Sequence, residues 1–534
     1  MSSSLKLILI FLVFSFGSIA QTFTSSNLPI VVVNTNGQTI VDEPKIIANM
    51  GIIWNGPGKR NTLNDPMNNY NGKIGIEIRG SSSQYFFPKK SYGFETKSSD
   101  LEDIDVSLLD MPEENDWILY APYTDKTLIR DVLTYTLGSA LVHYSPRCRF
   151  VELFVNGNYQ GVYVLMEKIK RNKNRVNIAK LKTTDNSGEN LTGGYIIKID
   201  KTTGGDTQGW TSNYTNAYGR TLYLYDYPKF EDITSYQKTY IQTYVRNMED
   251  ALYKEKYTGT GNYHEFLNDS SFIDFMIINE LTKNVDGYRI SSYLYKGKND
   301  VMNCGPIWDF NLGFGNANYY NGWITSGFQY QADLGTDQSQ TPFWWNKLMK
   351  DPNYVKNLKK RWAWIRKHEF TSQRISFVID SLTNVVSEAK DRNYQKWTGV
   401  IGSYIWPNYY IGTSYSAEVV WMKNWITKRL AFLDQSWPYD FTGTDNLLSS
   451  RSFSVFPNPF VDQINIELAS TVNGDGYAEI YSSGGALIRK NKIILQNGKT
   501  RLNFSGNNLL SSGLYVLRIT FNDGVLLNEK IVKR

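Results

Sequence analysis

The stretch from Ser271 to Asn316, SFIDFMIINELTKNVDGYRISSYLYKGKNDVMNCGPIWDFNLGFGN, constrains the fold more than any other part of the chain. It begins with Phe272, Phe275, Met276 and Asn279, whose spacing of three and four predicts a helix buried on one side. The pattern breaks at Asn284-Val285-Asp286-Gly287, a turn-forming run that presents an aspartate just past the helix. Two short β-like runs, SSYLYK and NCGPIW, flank Gly297-Lys298-Asn299-Asp300, so a hairpin is expected whose second strand runs straight into Asp309. Helix, aspartate loop, hairpin and second aspartate fold two carboxylates back toward one another. Such a pair suits Mg²⁺ and a phosphate chain, with one acid positioning a hydroxyl nucleophile. Either aspartate alone is explained as a turn cap, the ordinary role of an Asp-Gly site; the pairing is what points to chemistry.

The segment GKIGIEIRGSSSQYFFPKKSYGFETK adds what a phosphate would need. Ile74, Ile76 and Ile78 alternate, which predicts a strand with one buried face. Arg79-Gly80-Ser81-Ser82-Ser83 then turns the chain with small residues whose N–H and hydroxyl groups can meet a phosphate. On the return strand Lys90 shares a face with Tyr92 and Phe94, while Lys89 shares the other with Ser91 and Glu95. An inward lysine calls for an anion, either a nucleotide phosphate or a buried carboxylate; a lysine snorkelling to the sheet edge is the blander alternative.

The next segments supply a scaffold. Asp125 is expected to cap a helix over KTLIRDVLTYTLGSALV, whose only acid is Asp131. VELFVNGNYQGVYVLMEK, Val151 to Lys168, is the clearest hairpin, turning at Asn156-Gly157 and ending at Glu167. GGYIIKIDK reads as a strand, residues 204–225 as a long loop or insertion, and Ile233 to Lys256 as a helix. The loop from Asn316 to Gln340 is long enough to shape an acceptor site, and Asp351 to Phe432 is helical. Asp131, Glu152 and Glu167 are all candidate partners of Lys90. After Trp437 short alternating runs with Gly, Asn and Ser turns predict a small β-sandwich.

Composition narrows the chemistry. A net charge of +6 over 534 residues does not imply nucleic acid, and three scattered histidines give no metal-ligand spacing or Ser-His-Asp triad. Cys148 and Cys304 are the two cysteines, and pairing is undecided. Lys6, the run LILIFLVF and a small-residue stretch ending at Ala20 read as a signal peptide over 1–20, with no later span long enough to cross a membrane. The 37 tyrosines and 14 tryptophans suit a protein facing sugars or surfaces, yet no localised carboxylate pair supports a glycosidase.

NVDGYRISSYLYKG, GPIWDFNLGFGN and IRGSSS…FPKKSY together resemble the spore coat protein H (CotH) kinase family, an atypical secreted branch of the kinase-like fold. FSVFPNPF and GLYVLRIT…EKIVK resemble the type IX secretion system C-terminal sorting domain of the Bacteroidetes lineage. The resemblance implies an α+β chain: a signal peptide (1–20), an N-terminal β-extension (21–71), a two-lobed kinase-like domain (72–437), a linker (438–452) and a β-sandwich sorting domain (453–534). It implies ATP as co-substrate, Mg²⁺ or Mn²⁺ as cofactor, and transfer to Ser or Thr of a surface or secreted protein. Asp286 would be the catalytic-loop acid. Asp309, with Asn311 and Ser291, would hold metal, and Arg79, Lys90 and Glu167 would contact the nucleotide. Two departures stand out: the helix carries no glutamate to pair with Lys90, and Ser291 stands where kinases often place a metal-binding asparagine. A kinase-like scaffold kept as a surface adhesin or binding protein is the alternative.

Overall fold

A computed structural model describes residues 23–202, 208–216, 218–439, 452–470, 474–482, 487–495, 498–504, 512–521 and 526–533. The expected signal peptide and most of the expected linker lie outside these residues. The chain is a mixed α+β protein that divides into two compact units. The first runs to Asp105 and resumes over Glu114–Asn346 and Ser372–Arg429; the second takes Val106–Glu113, Lys347–Thr371 and the chain from Leu430 onward.

The first unit contains a closed barrel of seven strands: β1 (Ile30–Asn34), β2 (Ile46–Ile53), β3 (Tyr70–Arg79), β4 (Ser91–Lys97), β5 (Asp116–Tyr120), β6 (Cys148–Val155) and β7 (Asn158–Glu167). Their order is β1-β2-β3-β4-β5-β7-β6, and β1 closes on β6 in parallel. Closure leaves no edge of backbone N–H and C=O groups unpaired. The residues expected as an N-terminal extension are therefore two staves of the barrel. Ile74 and Ile76 point into the core together with Tyr92 and Phe94, whereas Glu77, Arg79, Ser91, Gly93 and Glu95 sit on the other face. At the β6–β7 hairpin Asn156 and Gly157 both have positive φ, 49° and 76°, as a two-residue turn between twisted strands requires.

A second, five-stranded sheet has the order β12-β11-β8-β10-β9, built from β8 (Tyr195–Ile199), β9 (Gly209–Thr215), β10 (Arg220–Tyr227), β11 (Ser292–Lys296) and β12 (Met302–Cys304). The segment read as a loop over 204–225 therefore contains one strand and most of another. Its Gly and Asn content masked alternating Trp, Tyr, Thr and Leu, which pair across β9 and β10. The hairpin expected of SSYLYK and NCGPIW, 291–308, forms with Leu294 opposite Cys304, but β12 stops at Cys304, just before Gly305 and Pro306, which has no N–H to offer the ladder. Both cysteines are free thiols.

The helices are α1 (Ser82–Phe86), α2 (Arg130–Gly138), α3 (Gly188–Leu191), α4 (Ser235–Tyr253), α5 (Asp269–Thr282), α6 (Trp344–Leu348), α7 (Pro352–His368), α8 (Ser372–Val385), α9 (Ala389–Lys396) and α10 (Tyr415–Ser436). The turn Gly80–Ser83 thus leads into a short helix. α2 starts five residues after its expected cap, since Asp125 instead binds the N–H of Thr127 and the N–H and guanidinium of Arg130. In the second unit Asp434 accepts from Trp362 and Arg366. Its last strands are β13 (Ser452–Phe456), β14 (Ile464–Ser470), β15 (Gly474–Ser482), β16 (Leu487–Leu495), β17 (Gly498–Phe504), β18 (Gly513–Phe521) and β19 (Leu526–Lys533). They form a three-stranded sheet, β13-β14-β17, and a four-stranded one, β16-β15-β18-β19, whose side chains share one apolar cluster including Ile466, Ile480 and Leu517.

α5 was expected to bury one face, yet every residue from Phe272 to Thr282 is buried. A helix enclosed on all sides must satisfy its polar side chains internally. Glu280 does so with Arg429, at 2.9 Å, and with the N–H groups of Gln329 and Tyr330 and the Tyr288 hydroxyl. Arg429 also donates to the carbonyls of Glu280, Thr325 and Gly327. One ion pair thereby fixes the C-terminal turn of α5 to the 325–330 loop. Arg429→Met, which leaves the carboxylate buried without its cation, is expected to cost about 3–5 kcal/mol. Thermal or urea unfolding checks this; a cost under about 1 kcal/mol would remove the pair from this role.

Candidate active site

A single cleft of about 1200 Å³ in the first unit is lined by Arg79, Gly80–Ser83, Asp286, Ser291, Asp309 and Asn311. Five of the seven residues singled out in the sequence therefore meet in one place, although more than two hundred positions separate Arg79 from Asp286. β3 delivers Arg79 at its last residue, opposite Ser91 on β4. α5 delivers Asp286 through a left-handed cap at Lys283 (φ 45°), and the coil after β12 delivers Asp309.

Asn284 clasps the two aspartate loops together. Its side-chain oxygen accepts the Asp286 N–H at 3.3 Å, and its amide donates to the Asp309 carbonyl at 2.9 Å. The Phe314 N–H adds a bond to the Thr282 carbonyl, lacing the second loop to the end of α5. Asp309 itself has φ 63°, Ser291 φ 50° and Tyr288 φ 71°. Non-glycine residues seldom adopt such values, and they persist where surrounding contacts over-determine them. The Asp286 carboxylate is held by Arg289 at 2.8 Å, and the same guanidinium reaches Asp337 at 2.8 Å. Asp337 comes from the long loop after Asn316, which also lines the cleft with Asn318, Tyr319 and Tyr320.

The charges are unevenly distributed. Toward β2–β5 each acid has a lysine: Glu95 meets Lys45 at 2.6 Å, and Asp116 meets Lys170 at 2.7 Å. Around Asp309 the balance is negative. Burial, and then the charges of Asp286 and Asp200, push its carboxyl up to about 7, against the pull of Arg79 and the Ser291 hydroxyl. Asp131 beneath it is pushed up to about 8 by burial and by Asp309, although it accepts the Phe310 N–H. Burial raises Asp200 too, opposed by Lys198 and by the N–H groups of Lys201 and Ser291.

Two expected residues are elsewhere. Lys90 does not line the cleft; its ammonium donates to the carbonyls of Gln84 and Phe87 and so ties down the α1 turn. Lys89 is the lysine that turns inward, donating to the Val162 carbonyl and Asn393 side chain, and burial drives its pKa well down. None of the three acids considered as partners meets Lys90: Glu152 pairs with Arg392, and Asp131 holds Phe310. Glu167, fully buried, binds the backbone N–H and guanidinium of Arg147, so its neighbours Met166 and Lys168 line the cleft in its place. Sequence reasoning does not single out Asp200 or Arg289, and it gives Asn284 only as part of the turn-forming run, not as the clasp between the loops. Asp200 had a signal, being the polar residue that ends the apolar β8 run.

Among the described residues no group of three or more His, Cys, Asp or Glu side chains is arranged to hold a metal ion. The donor chemistry around Asp309 nevertheless fits a hard divalent cation: carboxylate, carboxamide and hydroxyl oxygens, with the charges of Asp286 and Asp200 acting on Asp309 against the pull of Arg79.

The comparisons bear on this arrangement. No curated protein matches the chain significantly. Among solved structures, a mutant beta-glucosidase from Listeria innocua in complex with laminaribiose is 14% identical over 16% of this chain and 16% of its own, at a TM-score of 0.12, too little to bear on fold or function. The family model described as CotH kinase protein matches residues 76–433, which contain the whole cleft constellation from Arg79 to Asn311, and the secretion system C-terminal sorting domain matches 454–534. The chain therefore belongs to the CotH kinase protein family, with a secretion system sorting domain following the kinase-like domain.

Proposed function

We propose that the protein transfers a phosphoryl group from ATP to a Ser or Thr hydroxyl of a secreted or surface protein, after export through the type IX machinery. The observation that carries this reading is the convergence of Asp286, Asp309 and Arg79 in one cleft, with the Asp309 carboxyl crowded by the charges of Asp286 and Asp200. In this reading the barrel and the α5–β12 region with its following helices act as the two lobes of a kinase-like domain over 72–437. The strands after residue 452 act as a sandwich-type sorting domain.

Asp309, with Asn311 and Ser291 beside it and Asp200 within electrostatic range, would hold Mg²⁺ or Mn²⁺, which when bound neutralises charge on phosphate oxygens. Arg79 offers the nucleotide a cation from the β3 end, and the Gly80–Ser83 turn offers hydroxyl and N–H donors. Asp286, oriented by Arg289, accepts the hydrogen bond of the acceptor hydroxyl and aims its oxygen. Tyr319 and Tyr320 line the cleft from the long loop, where an acceptor polypeptide would lie. The absence of a three-ligand cluster among the described residues favours a second reading, a kinase-like binding protein without turnover.

Labelled ATP with Mn²⁺ and a generic protein acceptor separates these. Transfer is expected, falling roughly 100-fold or more in Asp286→Ala and Asp309→Ala. Transfer indifferent to both changes would remove the site assignment, and no nucleotide binding at all would favour the binding protein. The pH dependence has a definite sign. Because the Asp309 carboxyl in the fold lies above its unfolded value, its contribution to stability is full below about pH 4 and is lost as pH rises to about 7. Asp309→Asn should therefore raise the melting temperature of the metal-free protein at pH 8 and leave it unchanged near pH 4. Cation binding needs the ionised form, so Mn²⁺ affinity should rise about tenfold from pH 6 to pH 8. Calorimetry across that range would show a flat profile if the carboxyl were already ionised at pH 6.

A further inference from the structure

Two consecutive residues, Asp309 and Phe310, are each gripped from outside the aspartate loops. Asp131 of α2 accepts the Phe310 N–H at 2.7 Å. Tyr135, one turn further along the same helix, accepts the Asp309 N–H on its hydroxyl oxygen at 3.1 Å and sets its ring edge-on to Phe310. Tyr120, the last residue of β5, ends close enough to Asp131 and to the Asn311 side chain for its hydroxyl to act on both electrostatically. Asp131 and Tyr135 are both about 95% buried, so these are enclosed contacts that water does not readily replace. They act on a residue, Asp309, held at φ 63°, a conformation that needs such support.

We propose that Asp131, acting with Tyr135 and Tyr120, is the positioning group that sets the metal affinity of the Asp309–Asn311 turn, an inference that rests on the reading of Asp309 as the cation's ligand. The helix has no glutamate for the strand lysine, and its one acid, Asp131, is committed to the turn. α2 thus senses and sets the geometry of the cation ligands through two backbone N–H groups. Supporting groups of this kind orient oxygen donors and change metal affinity without touching the metal.

The test is Mn²⁺ binding to the full-length protein, read as loss of the free-ion electron paramagnetic resonance signal, beside the melting temperature of each metal-free variant. Asp309→Ala is expected to abolish binding and Asp131→Ala to weaken it roughly 10- to 100-fold. Asp131→Asn, whose carboxamide oxygen can accept the same N–H, should restore most of the affinity. Tyr135→Phe and Tyr120→Phe should each weaken binding several-fold, and they decide the matter if Asp131→Ala does not fold. Loss of binding in Asp309→Ala with wild-type affinity in the Asp131 and tyrosine variants would overturn this inference alone. Mn²⁺ binding that ignores Asp309→Ala, or no binding by the unaltered protein, would overturn the metal reading and the inference together. A lower melting temperature without a change in affinity would reduce Asp131 to a folding role and overturn the proposal.

Discussion

Crowding of carboxylates is the constraint on which the site depends. Asp131 is buried, Asp200 and Asp309 are half-buried in the wall of the cleft, and Asp286 adds its field beside them. Isolated carboxylates in such surroundings either gain partners or keep their protons. Here the partners include backbone N–H groups, that of Phe310 on Asp131 and that of Lys201 on Asp200. Ser291 and Asp309 carry left-handed backbone beside them, and the Asn284 clasp keeps the two aspartate loops in register. Charge burial, turn geometry and loop spacing are one problem solved together.

The two halves of the cleft treat charge differently, and the contrast separates support from chemistry. Along β2–β5, Glu77, Glu95 and Asp116 are matched by Lys45, Lys168 and Lys170, which makes that wall a set of closed ion pairs. At the other end Arg289 serves two acids, and Arg79 lies over Trp308 within range of Asp309. An arrangement with more acid than base in a concave, half-enclosed place is poised for a cation or a proton donor. In the proposed reading a cation takes this place, and the oxygen-only donor set agrees with it.

Much of this was legible from local signals. Asn156-Gly157 and the run around Asp286 announce their turns through residue types that tolerate positive φ, and the β3 alternation shows which side faces the core. Side-chain direction before Ser91 was not legible. Lys89 and Lys90 precede the strand, so counting parity back from Tyr92 carried Lys90 inward and Lys89 outward, the reverse of what the coil permits. Glu167 looked available because its ion partner, Arg147, lies twenty residues away across a hairpin. Asn284 and Arg289 join their local contacts with Asp286 to distant ones, with Asp309 and Asp337, that only tertiary structure makes, and nothing in their spacing distinguishes them from ordinary turn residues.

The parallel closure of β1 on β6 bears on where this domain begins. The family match starts at residue 76, inside β3, yet β1 and β2 occupy the positions between β3 and β6 that make the barrel continuous. A recombinant fragment cut at the family boundary would lose six of the ten residues of β3 and leave β6 with an unpaired edge, the geometry that recruits other chains. The length matched by the family model and the length that closes the barrel are therefore different stretches of polypeptide.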